Sequence, residues 1–423
     1  MIDIGILTSG RGVTNWARVA LLSLFFLHPG APAFGAEDLI EIVVVGDTGF
    51  NGAGAKVSAQ GGYKHGRRVF IDDAIAGIRH ELPADISLAN LETAVTTNNA
   101  IGGTPKRFPF RTHPDAIKGF VAAGLNAFSL ANNHALDYRQ AGAGDTLRHL
   151  NDLRSQGLLA FPGLGRSRAE AAAPHMVDIH GTAIALSSIG IGGWGVPAPP
   201  GKAGMLQYPD DFEFVQNALR ETPADIRILS VHYGKEFQPE TPRSTRRQFR
   251  QSIANEGFFV IAGHHKHVAN GIELIETASG QSGLIFYGLG NFLHLGMQNM
   301  GRHDLCHDFG LLGRVTLKKQ DDGSLTLVSV RVLPLTDMHV ATKPLPPEKA
   351  ATRIHVINHL SGQLTDADAG AQGLAFTPQR DGSGLWCNPA DGSSPCDAGR
   401  PAPLPSSALA NRIAKACSRV LRR

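Results

Sequence analysis

With 423 residues, 42% of them apolar and 18% charged, the chain can bury a substantial core and is too apolar for bulk disorder. Lys and Arg number 40 against 37 Asp and Glu, a near-neutral balance that argues against a nucleic-acid binder working through a general basic field. Any anionic partner has to be held locally.

The N-terminus has the pattern of an export signal. Arg11 and Arg18 precede the apolar run 19–27, and small residues and prolines follow to Ala36, so residues 1–35 are expected to be removed after Ala33 or Gly35. The run is short for a bilayer, which leaves an uncleaved anchor as the alternative. The mature protein is then exported, periplasmic or associated with the cell envelope. Cys306, Cys387, Cys396 and Cys417 allow two disulfides in three pairings, with Cys387 and Cys396 closing the shortest loop.

The mature chain opens with a β-branched run at 39–45 that ends in Gly46-Asp47, a buried strand delivering a carboxylate at its C-terminal end. A glycine-rich loop covers 51–62, and the spacing of Ile71, Ile75, Ile78 and Leu82 predicts a helix over 69–82. Residues 85–92 repeat the pattern, ending in Glu92. After His113-Pro114-Asp115, a helix start, a short helix to about 123 leads into a strand at 127–131 and then Asn132-Asn133-His134. A helix at 140–156, strands at 175–179 and 183–189, and a Gly/Pro-rich loop at 190–204 follow. A strand at 226–231 ends at His232; a helix at 242–256 and a strand at 257–262 lead to Gly263-His264-His265-Lys266-His267.

Beyond the histidines, strands at 271–276, 283–287, 310–317 and 324–333 succeed one another without helices, as in a mixed or antiparallel sheet. One domain over 39–335 and a C-terminal extension over 336–423 are expected. The extension holds a helix at 348–360, then 361–406, rich in Gly, Pro, Asp and Ser, as a linker or a wrapping segment. Its last helix, 407–421, has basic and apolar sides, and either docks by the apolar one or meets an anionic surface; membrane contact is not required.

Strand ends thus deliver Asp47, Glu92, Asn133 with His134, His232 and the histidine cluster. A mixed N/O set suits one or two divalent ions such as Mn, Fe or Zn, and a pair of ions clamps the attacking and departing oxygens in phosphoryl transfer. Side-chain alternation in an extended segment favours His265 and His267 as ligands over His264. His134 is a candidate general acid, and Glu236 either an acid/base of the site or a helix-start carboxylate. Arg243, Arg247 and Arg250 share one helix face at i, i+4 and i+7, either a solvated face or a binder of a polyanion or phosphate. Asn132, Asn291 and Glu273 are open between ligand and supporting roles. His175, His180, His294, His303 and His307 have no motif around them and read as ordinary histidines.

Six ordered motifs carry a resemblance. They are Gly46-Asp47, Asn90-Leu91-Glu92, the segment 130–138 around Asn133-His134, the segment 231–237 around His232, the cluster 263–268 with Gly271-Ile272-Glu273, and Tyr287-Gly288-Leu289-Gly290-Asn291-Phe292. Together they resemble the CapA family, associated with poly-γ-glutamate capsule synthesis and part of the calcineurin-like metallophosphoesterase superfamily. The resemblance implies an α/β fold, a four-layer α/β/β/α sandwich, with a dimetal site at the strand ends. It assigns Asp47, Glu92 (as bridging carboxylate), Asn133, His232, His265 and His267 to metal. It further implies an anionic polymer or phosphoester as substrate, within an envelope synthesis complex. The chain departs from the pattern at Gly49, where the superfamily's Asp-x-His opening has histidine, at Lys266 in place of proline and at Gly288 in place of serine. The readings left are a metal-dependent phosphoester or γ-glutamyl hydrolase and a polymer-binding scaffold with an incomplete site.

Overall fold

A computed structural model describes residues 39–192, 201–253, 257–276, 280, 282–389, 403–419 and 421. The export-signal segment, residues 193–200 of the Gly/Pro loop, Cys396 and the terminal Arg422-Arg423 lie outside the described residues.

Two sheets carry the fold. The first runs Thr377–Pro378, Gly384–Cys387, Leu325–Thr336, Gly310–Lys319, Leu39–Gly49, Ile86–Leu91 and Ala127–Ser129, with Asn291–His294 alongside the end of Leu39–Gly49. The second runs Ala371–Gly373, Ile272–Glu276, Ser282–Phe286, Phe258–His264, Ile226–His232, Thr182–Gly190 and His175–Ile179. Parallel strands occupy the middle of the second sheet and antiparallel ones its edges.

Strand alternation sorts the apolar residues into three cores. Ile40, Ile42 and Val44 face Ile184, Ile226, Ile228 and Val260 of the other sheet, which makes the central core. Val43, Val45 and Ala89, on the opposite pleat, pack against Ile75, Ile117, Phe120 and Leu150. Leu229, Val231 and Ile261 pack against Phe212, Val215, Leu219 and Phe249. Three cores separate four layers, helix, sheet, sheet and helix, the α/β/β/α sandwich expected.

Several local expectations change. The helix expected over 69–82 survives only as Ile71–Ile75, with a 3₁₀ turn at Arg79–Glu81. Thr342 N–H donates to the Ala74 carbonyl and Gly77 backs against Lys343, so contacts from the C-terminal chain replace the helix's own ladder. The helix Phe212–Glu221 had no counterpart in the sequence reading. Of 361–406, residues 361–389 and 403–406 are described, and there Ala371–Gly373 and Gly384–Cys387 add strands to the two sheets, which makes 361–389 a wrapping segment. The last helix, Ser407–Cys417, buries Ile413, Ala416 and Cys417 in the central core, and Cys417 is bonded to Cys306. Cys387 is disulfide-bonded as well.

Candidate metal centre

The first sheet sends Asp47 and Glu92 to a common end. Gly46 is required there: a Cβ on it would lie 2.1 Å from the Gly290 carbonyl oxygen, which accepts the Asp47 N–H at 2.9 Å. Glu92 follows Ile86–Leu91 and is held by its N–H to the Thr48 carbonyl at 2.8 Å. The second sheet contributes His232 and His264 at the ends of neighbouring parallel strands, in register with each other. All four side chains are buried.

Asp47 is the hub. Its Oδ1 accepts from Asn90 Nδ2 at 2.9 Å and lies 3.6 Å from His264 Nδ1 and 3.9 Å from His232 Nδ1. Its Oδ2 is 3.1 Å from His267 Nδ1 and accepts the His265 N–H at 3.1 Å. Glu92 differs: neither oxygen has a hydrogen-bond partner among the described residues, yet His232 Nε2 and His134 Nε2 lie 3.5 and 3.6 Å from Oε1, and His294 Nε2 lies 3.7 Å from Oε2. His232 Nε2 is also 2.8 Å from Asn133 Oδ1.

Three groups bring one donor atom from each member within 4.8 Å of the others: Glu92, His232 and His265; Asp47, Glu92 and His267; Glu236, His265 and His267. Donors bound about 2.0–2.1 Å from one ion stand roughly 3–3.5 Å apart, close to the separations around Glu92. A buried carboxylate without a partner is costly, and an ion held by it and by imidazoles removes that cost. The donor set therefore fits a divalent metal.

The charges follow the geometry. Burial opposes ionisation of Asp47, but the hydrogen bond from His267 and the charges of His267, His232 and His264 outweigh it and hold the carboxyl well below the usual range. Glu92 is pushed far upward, first by burial and then by the neighbouring Asp47 charge. Burial lowers His267 less than the Glu92 and Asp47 charges raise it, and it reaches about 9. Burial brings His264 to about 4 and drives His232 well below its ordinary value, so these rings are neutral and keep lone pairs for a ligand.

The alternation argument that preferred His265 and His267 does not hold. The strand ends at His264, and His265 and His267 have φ of 82° and 56°, in a left-handed turn. That turn still brings both rings to the site, with centroids 5.9 Å apart, while His264, set aside by alternation, faces Asp47. Lys266, between them, is buried: its Nζ donates to Thr241 Oγ1 at 2.7 Å and Asn270 Oδ1 at 2.6 Å, tying the turn to the loop after His232. Asn291 Oδ1 stands 2.9 Å from His267 Nδ1, whereas Asn132 bonds Asn90 and the Leu91 carbonyl, and Glu273 pairs with Arg250.

Besides His264, two residues of the site escaped the sequence reading. Asp137 Oδ2 is 2.7 Å from His134 Nδ1 and accepts the Phe110 N–H at 2.6 Å; Lys106 pairs with Asp137. Burial raises Asp137 to about 7. Its signal was the i+3 spacing from His134 within a quoted motif. His294, read as ordinary, is buried in the site, and its signal was its place three residues after Asn291.

A cavity of about 1200 Å³ opens onto the centre, lined by Asn133, His134, Glu236 and His267. Its wall carries Lys64, Arg67, Arg68, Lys106, Arg107 and Arg302, with Glu236 the single carboxylate among the described lining residues. Arg243, Arg247 and Arg250 do not line it. Arg250 is instead spent on Glu273, in paired contacts of 3.1 and 2.8 Å, and on Asp366 at 2.8 Å, which corrects its reading as a substrate group.

Fold and site define a class: an α/β/β/α protein with a strand-end centre of carboxylates, imidazoles and asparagine suited to divalent metal, under a basic cavity. Residues 41–295 match the model of the family described as Bacterial capsule synthesis protein PGA_cap, and the chain belongs to that family. It is 29% identical over 212 residues to the PGA biosynthesis protein CapA of Bacillus subtilis (strain 168), covering 50% of this chain and 53% of that one. It is 27% identical over 263 residues to a probable polyglutamine synthesis accessory protein of Mycobacterium tuberculosis (59% and 66%), and 26% over 184 residues to the capsule biosynthesis protein CapA of Bacillus anthracis (42% of each). The chain thus spans about half the length of the curated relatives it matches. Among solved structures, a hypothetical protein from Thermus thermophilus aligns at 15% identity over 70% of this chain and 99% of that one (TM-score 0.36). The 5'-nucleotidase from Candida albicans aligns at 11% over 67% and 52% (TM-score 0.34); likeness at this level carries no inference about activity.

Proposed function

We propose that this protein is an exported, metal-dependent hydrolase acting on an anionic cell-surface polymer such as poly-γ-glutamate, during its synthesis, anchoring or release. One observation carries the reading: Glu92, wholly buried and without a hydrogen-bond partner among the described residues, is ringed by imidazole nitrogens at 3.5–3.7 Å. Asp47, Glu92, Asn133, His232, His265 and His267 would hold one or two ions of Mn, Fe or Zn, with His264 beside them. Such an ion supplies Lewis-acid polarisation of the scissile group and an ionised water near neutral pH. Asp137 fixes the His134 ring so that Nε2 faces Glu92 and the cavity, where it can give a proton to a departing oxygen or nitrogen. Glu236, at the cavity wall beside His265 and His267, is the second acid/base candidate. Lys64, Arg67, Arg68, Lys106, Arg107 and Arg302 supply the field that holds a polyanion near the centre. Export is supported by the N-terminal pattern and by the Cys306–Cys417 disulfide, a bond typical of oxidising compartments.

Gly49, which brings no imidazole to the end of the first strand, favours a second reading, a polymer-binding scaffold of the synthesis complex. The two separate in one experiment: metal content of the purified mature protein, beside phosphodiester hydrolysis and shortening of poly-γ-glutamate. The hydrolase reading expects one of these activities, reduced about 10²–10⁴-fold in His134→Asn. Metal-bearing protein whose activities are absent or unchanged in His134→Asn and Asp47→Ala, while polymer binding persists, leaves the scaffold.

A further inference from the structure

Gly49 and His294 are partners in the short parallel pairing of Leu39–Gly49 with Asn291–His294. A Cβ on Gly49 would lie 3.0 Å from His294 Nε2, 3.1 Å from Cε1 and 3.3 Å from Cδ2. A side chain at 49 and the imidazole at 294 therefore compete for one space, and in this chain the imidazole has it. The ring is closely held. It is wholly buried, stands edge-on to Phe110 at 4.8 Å and 72°, and its Nδ1 accepts the Gly296 N–H at 3.2 Å. A main-chain N–H can only donate, so in the neutral ring Nδ1 keeps its lone pair and the proton sits on Nε2. Nε2 has no hydrogen-bond partner among the described residues and points at Glu92 Oε2, 3.7 Å away. The other oxygen, Oε1, faces His232 and His134.

We propose that His294 is a positioning residue of the candidate metal centre: its Nε2–H engages Glu92 Oε2 and leaves Oε1 turned toward His232 and His134. A donor fixed on one carboxylate oxygen orients the group and leaves the other oxygen free to coordinate. The imidazole absent at 49 is thereby supplied from the neighbouring strand, as a proton donor and not as a ligand. The proposal rests on the metal reading above.

The test is metal binding by purified mature protein, using Mn²⁺ and Co²⁺ titrations followed calorimetrically and the absorption spectrum of the Co²⁺ form. Wild type is expected to bind Mn²⁺ and Co²⁺. His294→Phe, which removes the donor, is expected to weaken binding about 10–100-fold, while His294→Gln, whose amide can donate, stays within about 3-fold of wild type. The Co²⁺ spectrum of His294→Gln is expected to keep its shape, because the ligand set is the same. Unchanged affinity in His294→Phe, or a changed spectral shape in His294→Gln, would each overturn the proposal. If His294→Phe does not fold, the His294→Gln protein decides: affinity within about 3-fold of wild type with an unchanged spectral shape supports the proposal, and a changed shape overturns it. No ion bound by wild type overturns the metal reading itself, and the proposal with it; an ion bound with unchanged affinity in His294→Phe overturns the proposal alone.

Discussion

On the metal reading, the state of Glu92 should make the stability of the fold depend on metal, with a sign that distinguishes the site from an ordinary buried carboxylate. Metal-free, the chain buries Glu92 beside the Asp47 charge, with neither oxygen paired among the described residues. An ion present at a thousand times its Kd stabilises the native state by about 4 kcal/mol. A folded unit the size of Glu37–Arg423 unfolds with an entropy near 0.8 kcal/mol/K, so each kcal/mol moves Tm by roughly 1.2 °C. Chelation should therefore lower Tm by about 5 °C. Glu92→Gln replaces the carboxylate with a neutral group of the same shape and should largely abolish that metal-dependent shift. In metal-free protein it should be neutral or stabilising by up to ~2 kcal/mol, because an unsatisfied buried group costs about 1–3 kcal/mol. Differential scanning calorimetry of both proteins, with excess Mn²⁺ and with chelator, measures all four states. A wild-type Tm unmoved by chelator, or a metal-free Glu92→Gln that melts several degrees below metal-free wild type, would refute the reasoning.

Further outcomes follow from particular contacts. The Cys306–Cys417 bond closes a loop of 111 residues, so Cys306→Ser with Cys417→Ser should cost about 4–5 kcal/mol in the chain-entropy limit, read as a lower urea midpoint with unchanged metal affinity. Arg250→Met leaves Glu273 buried without its main cation and should cost about 3–5 kcal/mol without altering polymer binding. Arg67→Ala with Arg68→Ala should weaken poly-γ-glutamate binding and flatten its salt dependence, measured by titration at several ionic strengths. Asp137 gives a pH signature: burial raises its folded pKa from an ordinary 3.8 to about 7, so its contribution is complete below about 4 and is lost as pH rises through 7. Stability should thus decline by up to about 1.4 kcal/mol per pH unit across that window, and Asp137→Asn should flatten the decline in urea melts.

Sequence alone determined the elements whose causes are local. Apolar runs ending in Asp47, Glu92 and His232 were legible as buried strands that end in carboxylates and an imidazole, because a continuous apolar run and the polar residue that closes it are written in neighbouring residues. Ordered motifs carried the family and the four-layer arrangement. Tertiary structure decided what depends on approach from distant chain. The helix expected over 69–82 was cut short because Thr342 captures its Ala74 carbonyl, a contact across more than 250 residues that no local propensity records. Arg250 shares a helix face with Arg243 and Arg247, yet its charge is consumed by Glu273 and Asp366, while the cavity draws its cations from the short strands at Gly62–Lys64 and Arg67–Val69, from Lys106-Arg107 and from Arg302. His264 and His294 escaped for the same reason. Periodicity says which residues share a face, but whether an imidazole meets a carboxylate depends on how strand ends from two sheets are stacked, and on the absence of a side chain at Gly49.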